Sequence, residues 1–270
     1  GRYRFGPGRV ARSIKTDLRV ALPDPKAALG VLRNVAAARR GDFGKDPYYT
    51  FDWIMDLAEQ RGQPHTFYVF GGRSDPRFDA KYDTDHPWTR RMLRDFHQRG
   101  HHIGLHTSFH TFLDGHRAAA ELANLKAVCA QEGIEQERWG VRQHYLRWRS
   151  PVTWRHLDNA GADFDATMGF ADRAGFRTGA CVEHAVFDLR QRRTLSIRER
   201  PLVAMECSII DPCYMGLGVD DGRAWECFAT LRQRCHRYGG DFTLLWHNSR
   251  MQDPRERALF ERLCLEDQEG

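Results

Sequence analysis

Histidines cluster in the stretch HHIGLHTSFHTF, residues 101–112, where His101, His102, His106 and His110 fall within ten positions. Ile103 and Leu105 alternate ahead of His106, which puts it at the end of a strand, and Thr107 and Ser108 suit the start of a turn or a helical segment. If that segment is helical, His106 and His110 sit at i and i+4 and face the same way, so two imidazoles can share one divalent ion. A carboxylate would complete a His-His-Asp set with positions open for water and substrate. The spacing H-x-x-x-H is weak by itself, because two unrelated surface or core histidines satisfy it. His101 and His102 belong to the start of the strand rather than to the ion.

Such residues act together only if secondary structure converges them. Strand candidates run over 13–20, 65–72, 101–106, 139–148, 162–170, 202–210 and 241–248. Helix candidates run over 27–40, 51–62, 89–100, 115–133, 151–161, 223–240 and 253–268, several of them closed by glycine. This alternation predicts an α/β fold with a parallel sheet or barrel and helices outside. No repeat or linker divides the chain, so a single domain is expected over 1–270. In such barrels chemistry gathers at the C-terminal ends of strands. Asp17, His106, Arg142, Asp165 and His247 are the polar residues predicted there, from five different strands.

Bulk properties exclude several classes. Hydrophobic residues make up 41% and charged residues 29%, as in an ordinary globular protein. No run approaches the roughly 18 apolar residues of a membrane span, and no apolar signal region is visible near the start, so a cytoplasmic location is expected. The net charge of +5 comes from arginines dispersed among acids, which does not predict a nucleic-acid partner. Seven cysteines, an odd number without C-x-x-C, predict buried thiols in a reducing compartment. Absence of G-x-S-x-G and of a P-loop lysine argues against a serine hydrolase and a nucleotide site.

The segment H-T-S-F-H resembles the H-[ST]-x-x-H motif of NodB-homology polysaccharide deacetylases. TFYVFGG, RGHHIGLH, GVRQHYLRW and TLLWHN resemble other segments of that family in the same order. DPYYTFDWIMDLAEQRG, RQHYLR and the run from Gly169 to Arg177 resemble a subgroup of bacterial polysaccharide deacetylase-like proteins. The resemblance implies a distorted (β/α)7-type barrel. It also implies removal of an N-acetyl, less often O-acetyl, group from a carbohydrate by water activated at zinc or a similar divalent ion. An N-acetylated sugar or carrier-linked glycan, met in envelope or exopolysaccharide assembly, is the implied partner. Under the resemblance His106 and His110 are metal ligands, His247 is the general acid, and Arg142 orients a carboxylate. Asp165, or Asp163, is the carboxylate that tunes the acid–base pair.

One motif departs from the pattern. The family's first motif carries two adjacent acids at the end of the first strand. Thr50-Phe51-Asp52 matches its letters but opens a predicted helix, with Thr50 as N-cap, so Asp52 is not expected in the site. Aligning SIKTDLRV instead sets Asp17 on the first acid and Arg19 on the second. Arg19 cannot ligate a cation. Three readings stay open: Asp17 binds the metal and another acid is the base, Asp17 is the base and the metal has two histidines plus waters, or the enzyme is impaired; the rival class is a non-catalytic glycan-binding or scaffold protein of deacetylase fold. Asp24, Asp42 and Asp46 are possible substitutes.

Overall fold

The computed structural model describes residues 7–266. Helix α1 (Pro7–Ala21) packs against α2 (Pro25–Arg40). Asp24 caps α2 by accepting from the Lys26 N–H, Pro25 occupies the first turn, and Gly41 closes it at φ 107°, where a side chain would be strained. The expected strand 13–20 is therefore part of a helix. Ile14, Thr16, Leu18 and Val20 read as period two, but Val10, Ile14 and Leu18 also repeat every four residues, and the helical period prevails with Val10 buried. Asp17 and Arg19 consequently end no strand.

The expected helices form as α3 (Phe51–Gln60), α4 (Pro87–Gln98), α5 (Gly115–Gln131), α6 (Val152–Asn159), α8 (Arg223–Arg237) and α9 (Pro254–Leu265), with a short α7 (Glu206–Ile210) besides. Strands β1 (Thr66–Phe70), β2 (His102–His106), β3 (Gly140–Arg142), β4 (Phe164–Asp165), β5 (His184–Asp188) and β6 (Arg193–Glu199) form one sheet in the order β1-β2-β3-β4-β6-β5. All its pairings are parallel except β5 with β6. Strands β7 (Ala204–Met205) and β8 (Leu244–Leu245) pair in parallel as a second, two-stranded sheet. The fold is mixed α/β and mostly parallel, and its described strands pair in two sheets rather than in one continuous ring.

The β5–β6 hairpin was not foreseen, although Leu195, Ile197 and Glu199 alternate inward along β6. Residues 202–210, expected as one strand, split at Met205 into β7 and α7.

Register decides what faces the site. Val69, Leu105 and Val141 are neighbours across β1, β2 and β3 and sit in the main core with residues of α4, α5 and α6. The alternate residues Phe70, His106 and Arg142 are likewise register partners on the opposite face. One step earlier, Gly104 pairs with Tyr68, and a Cβ at 104 would lie 2.6 Å from the Tyr68 ring. The Arg142 guanidinium lies over that same ring, 4.2 Å from its centroid. Gly104 thus makes room for the aromatic support beneath Arg142. Gly104→Ala should cost about 1–3 kcal/mol by overpacking, measured by urea denaturation.

Candidate functional site

The first residues of β1, the last residues of β2 and β3, and β8 with the residues after it line a cavity of about 400 Å³ that includes Tyr68, His106, Arg142, Arg200, Trp246 and His247. Three of the residues expected at strand ends are thereby brought to one place: His106, Arg142 and His247.

Each histidine here is oriented through Nδ1. His106 Nδ1 lies 2.9 Å from the Arg142 carbonyl, which only accepts, so Nδ1 carries the proton and Nε2 presents a lone pair. His144 Nδ1 donates to Asp79 Oδ1 at 3.0 Å, with the same consequence. His247 Nδ1 is 2.5 Å from Glu206 Oε1, which also accepts the His247 backbone N–H at 3.1 Å. The rings of His106 and His144 are 4.9 Å apart between centroids.

Electrostatics separates their roles. Burial, helped by the neighbouring His144, pushes the His106 pKa down to about 3, so this ring stays neutral. Burial also lowers His144, against the pull of Asp79. His247 is half-exposed; partial desolvation disfavours its charge, yet the Glu206 hydrogen bond and charge outweigh that and raise its pKa. Glu206 is fully buried, and its Oε2 has no hydrogen-bond partner.

The segment after β2 is not a helix. Ser108 and Thr111 bond to the buried Glu121 carboxylate of α5, and Thr107 donates to Gln143 at 2.7 Å. These bonds hold 107–110 as a turn leading into a short 3-10 segment, so His106 and His110 do not share a helix face. His110 is half-exposed and its Nε2 faces Asp75 at 3.4 Å. Asp17 lies on α1, which packs on α2. The expected set of His106, His110 and Asp17 is therefore not assembled around one ion. Asp24 caps α2, and Asp46 accepts from the Tyr48 N–H, so both carboxylates serve local turns. Asp52 is exposed on α3 beside Arg99, as expected of a residue outside the site. Thr50 does not cap α3 through its side chain; its hydroxyl bonds the Asn248 carbonyl instead.

Asp165 ends β4, but register sets it beside Val141 rather than Arg142. Its Oδ1 accepts from the Thr167 N–H and hydroxyl, and the residue is fully buried. Burial raises the pKa of both Asp165 and Glu199, with the Arg142 guanidinium opposing it. Asp165 is thus a buried carboxyl pushed toward its neutral form near Arg142, while the carboxylate that partners His247 is Glu206.

Glu206, Asp79 and His144 escaped sequence reasoning. A carboxylate inside the apolar run LVAMECSII was a visible signal for Glu206, since a buried acid needs a partner. Asp79 sat in a polar loop indistinguishable from a solvated one. His144 was visible in RQHYLR but had no spacing partner in sequence.

Among the described residues, one group of three possible ligands clusters within 4.8 Å: Glu206, Cys207 and His247. Burial, with Glu206 adjacent, pushes the Cys207 thiol up to about 12, and His247 Nδ1 is already taken by Glu206.

Scanned against models of known protein families the chain matches none, and it matches no curated protein. No helix of the described residues is long and apolar enough to cross a membrane.

His247 should titrate above the usual histidine range by NMR, and Glu206→Gln should bring it down. Because the folded pKa is raised, the stability this pair contributes is fully present below the unfolded value of about 6.5 and is lost as pH rises through the folded one. The difference in denaturation midpoint between wild type and Glu206→Gln should shrink over that interval.

Proposed function

We propose that the protein is a hydrolase that removes an acetyl group, foremost an N-acetyl, from a carbohydrate. The observation that carries this reading is His247, its Nδ1 held by the buried Glu206, lining the same cavity as His106 and Arg142. The ordered motif resemblance supplies the substrate class. The geometry and the resemblance are independent supports.

The chain's own residues suffice to describe the proton path. With Glu206 holding Nδ1–H, His247 Nε2 takes a proton from water and returns it to the leaving nitrogen. Glu206 stabilises the imidazolium between the two transfers, as the raised pKa of His247 requires. Arg142, supported on Tyr68, places a fixed positive charge at the cavity wall, where an acyl oxygen gaining negative charge is stabilised.

The implied divalent ion would find two suitably spaced imidazoles in His106 and His144. Two imidazoles bound at about 2.1 Å with a tetrahedral angle have centroids about 5 Å apart, close to the separation of His106 and His144. Their Nδ1 atoms are already hydrogen-bonded, as in ligating histidines generally. A divalent ion there would polarise an acyl carbonyl and lower the pKa of water.

The test is acetate release from N-acetylated oligosaccharides, measured with metal content on the same samples. His247→Ala should lower turnover about 10²–10⁴-fold while metal content stays unchanged. His106→Ala combined with His144→Ala should abolish metal binding, and His110→Ala should retain it. A chain that binds these sugars irrespective of chelator and releases no acetate would instead be a non-catalytic glycan-binding protein. The displacement of Asp17 onto a helix favours that second reading.

A further inference from the structure

The charge of this chain is localised to a degree its overall composition conceals. Residues 7–41, the α1–α2 hairpin, hold eight lysines and arginines against two aspartates, a net +6 in a chain whose total is +5. Arg12, Lys15, Arg19, Lys26 and Arg33 are exposed. The same hairpin exposes large apolar side chains. Val20 and Leu22, at the turn, are 77% and 68% exposed, and Leu29 and Leu32, three apart on α2, are 47% and 49% exposed. Elsewhere the hairpin follows the ordinary rule, with Val10 and Ala38 buried.

We propose that the α1–α2 hairpin docks the protein onto an anionic phospholipid surface. Its apolar turn would enter the boundary between headgroups and acyl chains, and its cations would lie against the phosphates.

Charge complementarity selects this occupant. A second copy of the chain would bring two surfaces of net +6 together, and the repulsion opposes pairing. A nucleic acid would use the cations but would leave four large apolar side chains in water. A lipid surface takes both, since basic amphipathic helices bind in the interfacial plane through apolar burial and attraction to anionic lipid. With 15 and 16 residues, and neither helix apolar enough to cross a bilayer, α1 and α2 would lie on the membrane rather than span it. This inference is independent of the hydrolase reading.

Sedimentation of the full chain with vesicles tests it. One set is phosphatidylcholine alone, and the other contains about one third phosphatidylglycerol, enough to give a negative surface potential. Binding to the anionic set should be at least about tenfold tighter and should weaken with salt. Arg19→Gln, Lys26→Gln and Arg33→Gln should each weaken it about fivefold. Leu22→Asp with Leu29→Asp should abolish it while the circular dichroism spectrum and melting temperature stay those of wild type, because both positions are exposed. Equal binding to the two vesicle types, or no loss in the leucine variant, would overturn the proposal. A concentration-dependent dimer abolished by the leucine variant would overturn it in favour of self-association. Salt-sensitive binding to single- or double-stranded DNA or RNA that ignores the leucine variant would overturn it in favour of a nucleic acid.

Discussion

The Asp79 carboxylate ties together the loops that follow β1, β2 and β3. Its Oδ2 accepts from the Ser74 and Asp75 N–H groups at 2.6 and 2.8 Å, and its Oδ1 accepts from Phe109 N–H at 2.8 Å and from His144 Nδ1. Burial by itself would raise the pKa of this nearly inaccessible group, but those hydrogen bonds outweigh it and keep Asp79 below its ordinary value. A buried anion with its lone pairs engaged is costly to disturb, because every donor it leaves behind is also buried or half-buried. The position of the His144 ring against His106 follows from that constraint.

A second buried carboxylate does the corresponding work for His247. Glu206 starts α7 directly after β7, and β7 pairs in register with β8, so Met205 stands beside Leu245, two residues before His247. The parallel pairing of two very short strands is thus what brings Glu206 and His247 within hydrogen-bonding distance. Beside His247, Trp246 packs ring against ring with Phe228 and Phe260, which adds apolar contact where the strands are short.

Arg142 is governed by different physics. It lies over the Tyr68 ring and donates from Nε to the Ala166 carbonyl at 2.9 Å, with Asp165 and Glu199 close enough to influence its charge. Burial works against the guanidinium and against both acids together. Desolvation raises both carboxyl pKa values although an arginine is near, and the neighbouring Asp165 raises Glu199 further, so a proton on one of the two is favoured.

Much of this was legible in the residues alone. The helices at 51–60, 87–98, 115–131 and 223–237, the strands ending at Phe70 and His106, and the gathering of His106, Arg142 and His247 at strand ends all follow from local periodicity, glycine stops and the parallel rhythm. These signals are written within a few residues of where they act. The tertiary structure alone decided the rest. It made 13–20 helical, because periods of two and four coincide over so short a window and packing against α2 settles between them. It made 107–110 a turn instead of a helix, because Glu121 and Gln143, distant in sequence, hold that segment. It chose Glu206 over Asp165 as the partner of His247, and Asp79 as the anchor of His144, because a carboxylate's role depends on which donors the fold brings within about 3 Å, and sequence spacing carries no record of that distance.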